Sequence, residues 1–162
     1  MNGIPLARRA AKPIRVTLAK ELGTGIDGAW WPHSAAMAME LPDLVGALHA
    51  QLGEIVGIRV NWSATEGQLD LETIAHAAHL ARPGEHHRRP RLMNVDGRTA
   101  CAKLLVVPSM TSQALGAMVL RTAARLPTSG GSGDGRLFQT ACVVMQLAEA
   151  ESKSWGELAD RV

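Results

Sequence analysis

The chain has 162 residues, of which 46% are apolar and 20% charged, and its formal net charge is +2. This size is typical of one soluble domain that buries its own core. No apolar run of about 18 residues and no signal-like segment occur, which excludes a membrane-spanning protein and predicts a cytoplasmic one. The two cysteines, Cys101 and Cys142, are too few for a disulfide framework and are predicted to be buried thiols.

Positive charge is concentrated at the N-terminus, where residues 1–20 contain five basic and no acidic side chains. Residues 1–12 are predicted to form a flexible basic arm. A basic arm on a mildly acidic body is typical of a protein that contacts nucleic acid or anionic lipid. A solvated tail explains the same charges without any partner.

The first half of the chain alternates between strand and helix patterns. The run Ile14–Leu18 and the run Asp27–Trp31 predict two short strands, and Pro32 ends the second. A helix follows, capped at Ser34, kinked at Pro42 and ended by Gly53. Its predicted buried stripe consists of Met37, Leu41, Leu44, Val45, Leu48 and Leu52.

The middle of the chain predicts further strands. Residues 55–62 form a predicted strand whose core face carries Val56, Ile58, Val60 and Trp62. Residues 69–74 are predicted to be a strand, and the structure of residues 75–90 stays open. Residues 91–95 and 98–107 predict a hairpin closed by Asp96-Gly97, whose apolar run 104–107 is typical of a central strand.

Two helices and a linker complete the predicted fold. Thr111 or Ser112 caps a helix that Pro127 closes, and the glycine-rich residues 128–135 form a linker. The last helix, over 137–151, has an apolar side made of Phe138, Ala141, Cys142, Met145 and Ala148. The expectation is an α+β core domain over 13–127, with a mainly antiparallel sheet, two or three helices packed on it, and a C-terminal helical segment over 136–162 packed on the core.

The adjacent Trp30 and Trp31 are unusual in a chain with four Trp, one Phe and no Tyr. Neighbouring strand residues point to opposite faces, so one indole is predicted to enter the core and the other to line a groove. Asp27, His33 and Trp62 complete this predicted ligand-binding surface. Core packing is the alternative for the indoles, and closure of a turn is the alternative for Asp27.

Residues 86–91 form the densest basic patch of the chain. Arg88, Arg89 and Arg91 form a candidate phosphate-binding patch, because guanidinium groups match phosphate oxygens. A solvated charged shoulder of the hairpin explains the same residues without a ligand. With the basic arm, this patch gives the alternative function of a nucleic-acid-binding protein.

Four histidines and one carboxylate raise the alternative of a small metal-dependent or hydrolytic enzyme. They are His76, His79, Glu85, His86 and His87. The arginines that follow His87 oppose a bound cation, so no metal and no cofactor are predicted. Catalytic residues are not predicted either, because no serine lies in a nucleophile elbow and a strand follows the Gly23-x-Gly25-x-x-Gly28 spacing where a dinucleotide fingerprint requires a helix.

Three blocks of sequence resemble an uncharacterised actinobacterial family of domains of unknown function, common in mycobacteria and streptomycetes. They are Gly25-x-Asp27-Gly28-Ala29-Trp30-Trp31-Pro32, then Glu40-Leu41-Pro42-x-Leu44, then Leu104-Leu105-Val106-Val107-Pro108. The similarity covers roughly residues 14–126, and His33 stands where family members carry a basic residue. The resemblance implies a cytosolic bacterial protein and brings no activity, cofactor or catalytic residue.

The expected function is therefore a non-enzymatic binding or regulatory module. Its expected partner is an unknown protein or a small-molecule ligand, bound at the tryptophan-lined surface. A homodimer formed through an apolar sheet or helix face is also expected, and no membrane association is expected.

Overall fold

A computed structural model describes residues 12–63, 66–80, 89–128 and 135–160 of the chain. Five strands form one sheet: β1 (Val16–Leu18), β2 (Gly28–Trp30), β3 (Ile55–Val60), β4 (Arg91–Gly97) and β5 (Cys101–Val106). Four helices lie in the same ranges: α1 (Met37–Leu52), α2 (Leu71–Leu80), α3 (Gln113–Ala123) and α4 (Gly135–Asp160). The predicted arm and glycine-rich linker lie almost entirely outside the described residues.

The sheet has the strand order β1-β2-β5-β4-β3. Neighbouring strands are antiparallel except β2 and β5, which run parallel with Gly28 opposite Leu104 and Trp30 opposite Val106. The α+β class is confirmed, whereas the expectations of a mainly antiparallel sheet and of two or three helices are wrong. The sheet is mixed because β2 joins it beside a strand more than 70 residues later in the chain, a pairing that no local pattern announces.

Both faces of the sheet are covered. Helix α1 packs on one face, where its buried Leu44, Leu48 and Leu52 contact Trp30 and Leu104. Helices α2, α3 and α4 cover the other face around Ala29, Trp31 and Leu105. The prediction of a central strand is confirmed, since β5 lies in the middle of the sheet and its residues 104–106 are fully buried on both sides.

The β4–β5 hairpin is confirmed, but its predicted turn is wrong. Gly97 N donates to Ala100 O at 3.0 Å, so Arg98 and Thr99 form the tip. Gly97 keeps an ordinary negative φ and is needed for another reason: a Cβ there would collide with the carbonyl of Leu52 at the end of α1. Thr99 N and Ala100 N donate to that same carbonyl, at 2.9 and 3.3 Å. The hairpin tip therefore caps α1.

Helix α1 begins at Met37 and not at Ser34. The carboxylate of Glu40, in its first turn, accepts hydrogen bonds from His33 N at 2.7 Å and from Ser34 N and Oγ at 2.9 and 2.8 Å. Pro42 lies within this first part of the helix, and Gly53 ends it with a φ of 78°. The loop before α1 is thus held by a helix side chain.

The strand predicted over residues 69–74 is wrong, because helix α2 begins at Leu71. Asp70 is its N-terminal cap: Oδ1 accepts from Thr73 N at 2.7 Å, and Oδ2 accepts from Thr73 Oγ1 at 2.8 Å. These bonds to Thr73, above all the one from its backbone, hold the pKa of the Asp70 carboxyl below its usual value. The alternation of Leu69 and Leu71 spans a helix boundary and does not continue in a strand.

We expect Asp70→Ala to lower the free energy of unfolding by about 1 kcal/mol at pH 7, the usual loss for a removed cap. The folded-state pKa of Asp70 is lowered, so its contribution is present above the unfolded-state pKa and is lost as the pH falls. Urea unfolding of both proteins at pH 7 and at pH 3 measures this, with the difference shrinking at pH 3. The control Glu72→Ala, in the same turn, is expected to change stability by about 0.5 kcal/mol or less.

In the edge strand β3 and in helix α4, the buried residues differ from those that the sequence predicted. Val56 and Val60 are 58% and 38% exposed, whereas Ile58 and Trp62 pack on the core beside α1. A register irregularity between Ile55 and Gly57 takes Val56 out of the alternation. In α4, Phe138 is exposed, and the buried positions are Ala141, Val144, Ala148 and Ser152. Among the described residues, no helix is both long and apolar enough to cross a bilayer.

Candidate functional site

Asp27 is buried and its carboxylate joins two parts of the fold. Oδ1 accepts from Gly23 N and Oδ2 accepts from Lys103 N, both at 2.8 Å. The Asp27 backbone donates to Lys103 O and accepts from Ala19 N, at 2.8 and 2.7 Å. The two bonds to Lys103 tie the loop between β1 and β2 to β5, and the bonds from Gly23 and Ala19 close that loop on itself. This arrangement fits the interpretation of Asp27 as a loop-closing residue.

Both tryptophans of the central stretch are buried, at 1% exposure for Trp30 and 2% for Trp31. They lie on opposite faces of the sheet, as adjacent strand residues do, but each face is covered by helices. The prediction that one indole faces outward or lines a groove is therefore wrong. The alternative of core packing describes both rings.

Trp31 fits tightly between helix α3 and the N-terminal segment. Its six-membered ring lies where a Cβ on Gly116 of α3 would stand, so only glycine is accommodated at that position. Trp31 Nε1 donates to Ser109 O at 3.4 Å. The guanidinium of Arg15 stacks 3.6 Å from a ring centroid of Trp31, while Arg15 Nε donates to Trp31 O and Nη2 to Pro32 O.

His33 and Trp62, the other members of the predicted surface, lie in separate contacts. His33 Nε2 is 2.8 Å from Pro13 O, and its backbone is held by Glu40. Trp62 packs on the α1 side of the core and faces the guanidinium of Arg91, whose Cζ is 4.9 Å from the ring centroid. Neither residue, nor Trp30 or Trp31, lines the cavity at the end of β5 or the cavity at its start.

A compact pocket, which we call the arginine pocket, lies where β5 ends and β4 begins. Its volume is about 210 Å³, and it lies beside the start of helix α2. Leu69, Leu71, Ile74, Val106 and Pro108 contribute apolar groups to its lining. Its polar lining consists of Glu66, Gly67, Gln68, Arg89 and Arg91.

The two arginines of this pocket differ in their electrostatic partners. Arg89 lies 3.5 Å from a carboxylate oxygen of Glu66 and 3.7 Å from one of Glu151, and it donates to Asn61 O at 2.8 Å. Arg91 Nη2 donates to the backbone oxygen of Glu66 at 2.6 Å and, among the described residues, forms no ion pair. Burial lowers the pKa of Arg91, an effect that the charge of Glu66 opposes.

The sequence singled out Arg89 and Arg91 but missed the rest of the pocket. Arg88 lies outside the described residues. The lining residues Leu69, Leu71 and Ile74 belong to a wrongly predicted strand, so no pattern connected them with the arginines. The contact that brings these segments together is long-range, between residues about 25 positions apart.

The structure describes only part of the histidine cluster from His76 to His87. His76 is exposed on α2, while the side chain of His79 and all of Glu85, His86 and His87 fall outside the described residues. Within the described ranges, no group of three or more potential metal ligands occurs.

The prediction of buried thiols is wrong for Cys101, which is exposed, and Cys142 is half-buried. Desolvation, together with the hydrogen bond to Asp96, raises the pKa of the Cys101 thiol and disfavours the reactive thiolate.

A family of unknown function, DUF5994, matches residues 15–123. The chain belongs to this family. The match spans the fold from β1 to α3 and includes every residue that lines the arginine pocket, whereas helix α4 lies beyond it. No curated protein and no solved structure matches the chain.

Proposed function

We propose that the protein is a binding module for a small carboxylate ligand with a short apolar part, held in the arginine pocket. The observation that carries this proposal is Arg91: a guanidinium that lines a compact pocket, is partly desolvated and forms no ion pair within the described residues. A partly buried guanidinium that no carboxylate of the described residues contacts directly destabilises the unliganded protein, since the charge of Glu66 offsets its desolvation only in part, and an anionic ligand compensates that cost.

The shape and lining of the pocket favour this ligand class. A guanidinium donates two parallel hydrogen bonds to a carboxylate, and Arg91 uses one Nη2 donor for Glu66 O, with its stacking on Trp62 fixing the plane. The apolar side chains of Leu71, Ile74 and Val106 suit a short hydrocarbon chain. Glu66 stands at the pocket and disfavours a doubly charged ligand such as phosphate.

The residues that line the arginine pocket favour binding over catalysis. Among the described residues, the pocket is lined by no serine, cysteine or histidine, so nucleophile and base are not paired there. Recognition of nucleic acid is less favoured, because two carboxylates engage Arg89 and Arg91 lines a compact pocket that suits a small anion. We further infer a cytoplasmic bacterial protein, in line with the sequence resemblance.

The experiment is a calorimetric titration of the full chain with butyrate, with 1-butanol and inorganic phosphate as comparison ligands. Butyrate is expected to bind, and the two comparison ligands to bind more weakly at this pocket. Arg91→Met is expected to raise the butyrate Kd about 10-fold to 100-fold, since one charge-assisted hydrogen-bond pair contributes about 1.5–3 kcal/mol. Arg91→Lys keeps the charge but loses the planar fork, so we expect an intermediate Kd.

The matched control is Arg136→Met, which removes an exposed arginine from α4, away from the arginine pocket. It is expected to leave the butyrate Kd unchanged. Circular dichroism of each variant confirms the fold. The proposal fails if the unmutated protein does not bind butyrate, or if Arg91→Met binds it as tightly as Arg136→Met does.

A further inference from the structure

A second cavity lies at the opposite end of β5, where the strand begins. This polar cleft, about 820 Å³ in volume, lies between the sheet, the loop before β2 and the C-terminal half of α4. Its lining includes Asn94, Lys103 and Ser152 from β4, β5 and α4, respectively. The arginine pocket shares no residue with it.

The ammonium group of Lys103 lies in this cleft and, among the described residues, forms no ion pair. Its Nζ donates to the hydroxyl of Ser152 at 2.7 Å, in a partly buried bond. Among the described residues, no carboxylate oxygen lies within ion-pair distance of Nζ. A partly desolvated ammonium with one neutral partner retains unused donors and an uncompensated charge.

The carboxylates that line the cleft are each engaged elsewhere. Asp27 accepts from two backbone groups, and Asp96 lies 3.4 Å from Arg59 Nε. Glu149 accepts from Ile26 N at 3.2 and 3.3 Å. None of the three carboxylates forms an ion pair with the Lys103 ammonium, so its donors beyond the one given to Ser152 remain available to a ligand.

Two neutral polar groups stand beside this ammonium. Ser152 is only 5% exposed, and because its oxygen accepts from Lys103, its own hydrogen is available to donate. Asn94 pairs with Lys103 across β4 and β5, which places both side chains on the same face of the sheet. Within the described part of the chain, the amide of Asn94 forms no hydrogen bond that would compete with a ligand.

We propose that this cleft is a second ligand site, which binds the oxyanion group, phosphate or carboxylate, of a small polar ligand. Lys103 supplies the charge, and the Ser152 hydroxyl and the Asn94 amide donate hydrogen bonds to the remaining oxygens. Ser152 belongs to α4, which the family match does not include. The site is therefore a feature that α4 adds to the family domain, and it stands independently of the arginine pocket.

The test is a titration of the ¹⁵N-labelled full chain, followed by NMR at constant ionic strength, with inorganic phosphate in one arm and acetate in the other. Saturable shifts of the Asn94, Lys103 and Ser152 amides in either arm support the site and identify the preferred oxyanion. Lys103→Met is expected to raise that Kd at least tenfold. Lys20→Met, which removes an exposed lysine outside the cleft, is expected to leave it unchanged.

A urea titration provides the second measurement. In the absence of ligand, Lys103→Met is expected to be at least as stable as the unmutated protein, because Lys103 forms no ion pair among the described residues. Functional sites often lower the stability of a protein in this way. Ser152→Ala keeps the charge, and its phosphate or acetate Kd is expected to rise severalfold. The proposal is overturned if neither anion gives saturable shifts at the three amides, if Lys103→Met retains full affinity, or if Lys103→Met is clearly less stable.

Discussion

Gly28→Ala is expected to destabilise the protein by about 3 kcal/mol or more, beyond the usual range for an overpacked position. A Cβ at Gly28 would overlap the carbonyl oxygen of Thr17 on the paired strand β1, and backbone atoms cannot move aside as a flexible side chain does. The methyl group therefore forces β1 and β2 apart and disrupts the edge of the sheet. Urea unfolding followed by circular dichroism measures the change.

Gly46→Ala is the matched control for this substitution. Gly46 lies in helix α1, and a Cβ there would meet no atom within 4 Å. Alanine at a free helical position is expected to stabilise the protein by roughly 0.5–1 kcal/mol, because glycine loses more conformational freedom on folding. Opposite signs for the two glycine-to-alanine changes are the expected result. A Gly28→Ala protein that unfolds at the same urea concentration as the unmutated one would contradict the packing described here.

Trp31→Ala is expected to lower the free energy of unfolding by about 3–5 kcal/mol, the usual cost of deleting a large buried aromatic side chain. The ring is 2% exposed, fills the space above Gly116 and carries the stacked guanidinium of Arg15. Its removal leaves a cavity between α3 and the sheet. Thermal and urea unfolding, with intrinsic fluorescence and circular dichroism as probes, measure the loss.

Phe138→Ala provides the comparison, because Phe138 is 41% exposed on α4. Its loss is expected to cost about 1 kcal/mol or less, as for most exposed positions. Equal effects of the two aromatic deletions would show that Trp31 is not a core residue.

The residues from Asp27 to Pro32 have structural roles in the fold. Asp27 joins a loop to β5, Gly28 permits the close approach of β1, and the two tryptophans anchor opposite faces of the sheet. Arg15 then binds the carbonyls of Trp31 and Pro32. Because both indoles and the Asp27 carboxylate are engaged within the fold, we base the proposed ligand sites on Arg91 and Lys103, near the two ends of β5.

The sequence predicted those elements whose signals are local. The run Leu104–Val107 indicated a central strand, Ser112 indicated a helix cap and Gly53 indicated a helix end, and the structure confirms all three. Ser112 Oγ accepts from Leu115 N at 3.3 Å, as a capping serine does. Such signals depend on hydrogen bonds and side-chain periodicity within a few residues, which a sequence displays directly.

The errors in the predicted site have one origin, since a strand pattern does not say what covers each face. Alternation placed Trp30 and Trp31 on opposite faces correctly, but only the packing of α1 on one side and of α2, α3 and α4 on the other decided that neither ring is exposed. The hairpin turn lies at Arg98-Thr99 and not at the predicted Asp96-Gly97. The reason is again tertiary, because the end of α1 packs against Gly97.

The sequence by itself determined the class of the fold, its central strand and the two arginines of the candidate pocket. Only the tertiary structure decided that Arg91 donates a hydrogen bond to Glu66, 25 positions away, and that Lys103 donates one to Ser152, 49 positions away. The physical reason is that both cavities form where segments distant in the chain come together at the ends of one strand. Local hydrogen bonding and periodicity carry no information about such a meeting, whereas burial and unneutralised charge in the folded chain reveal it.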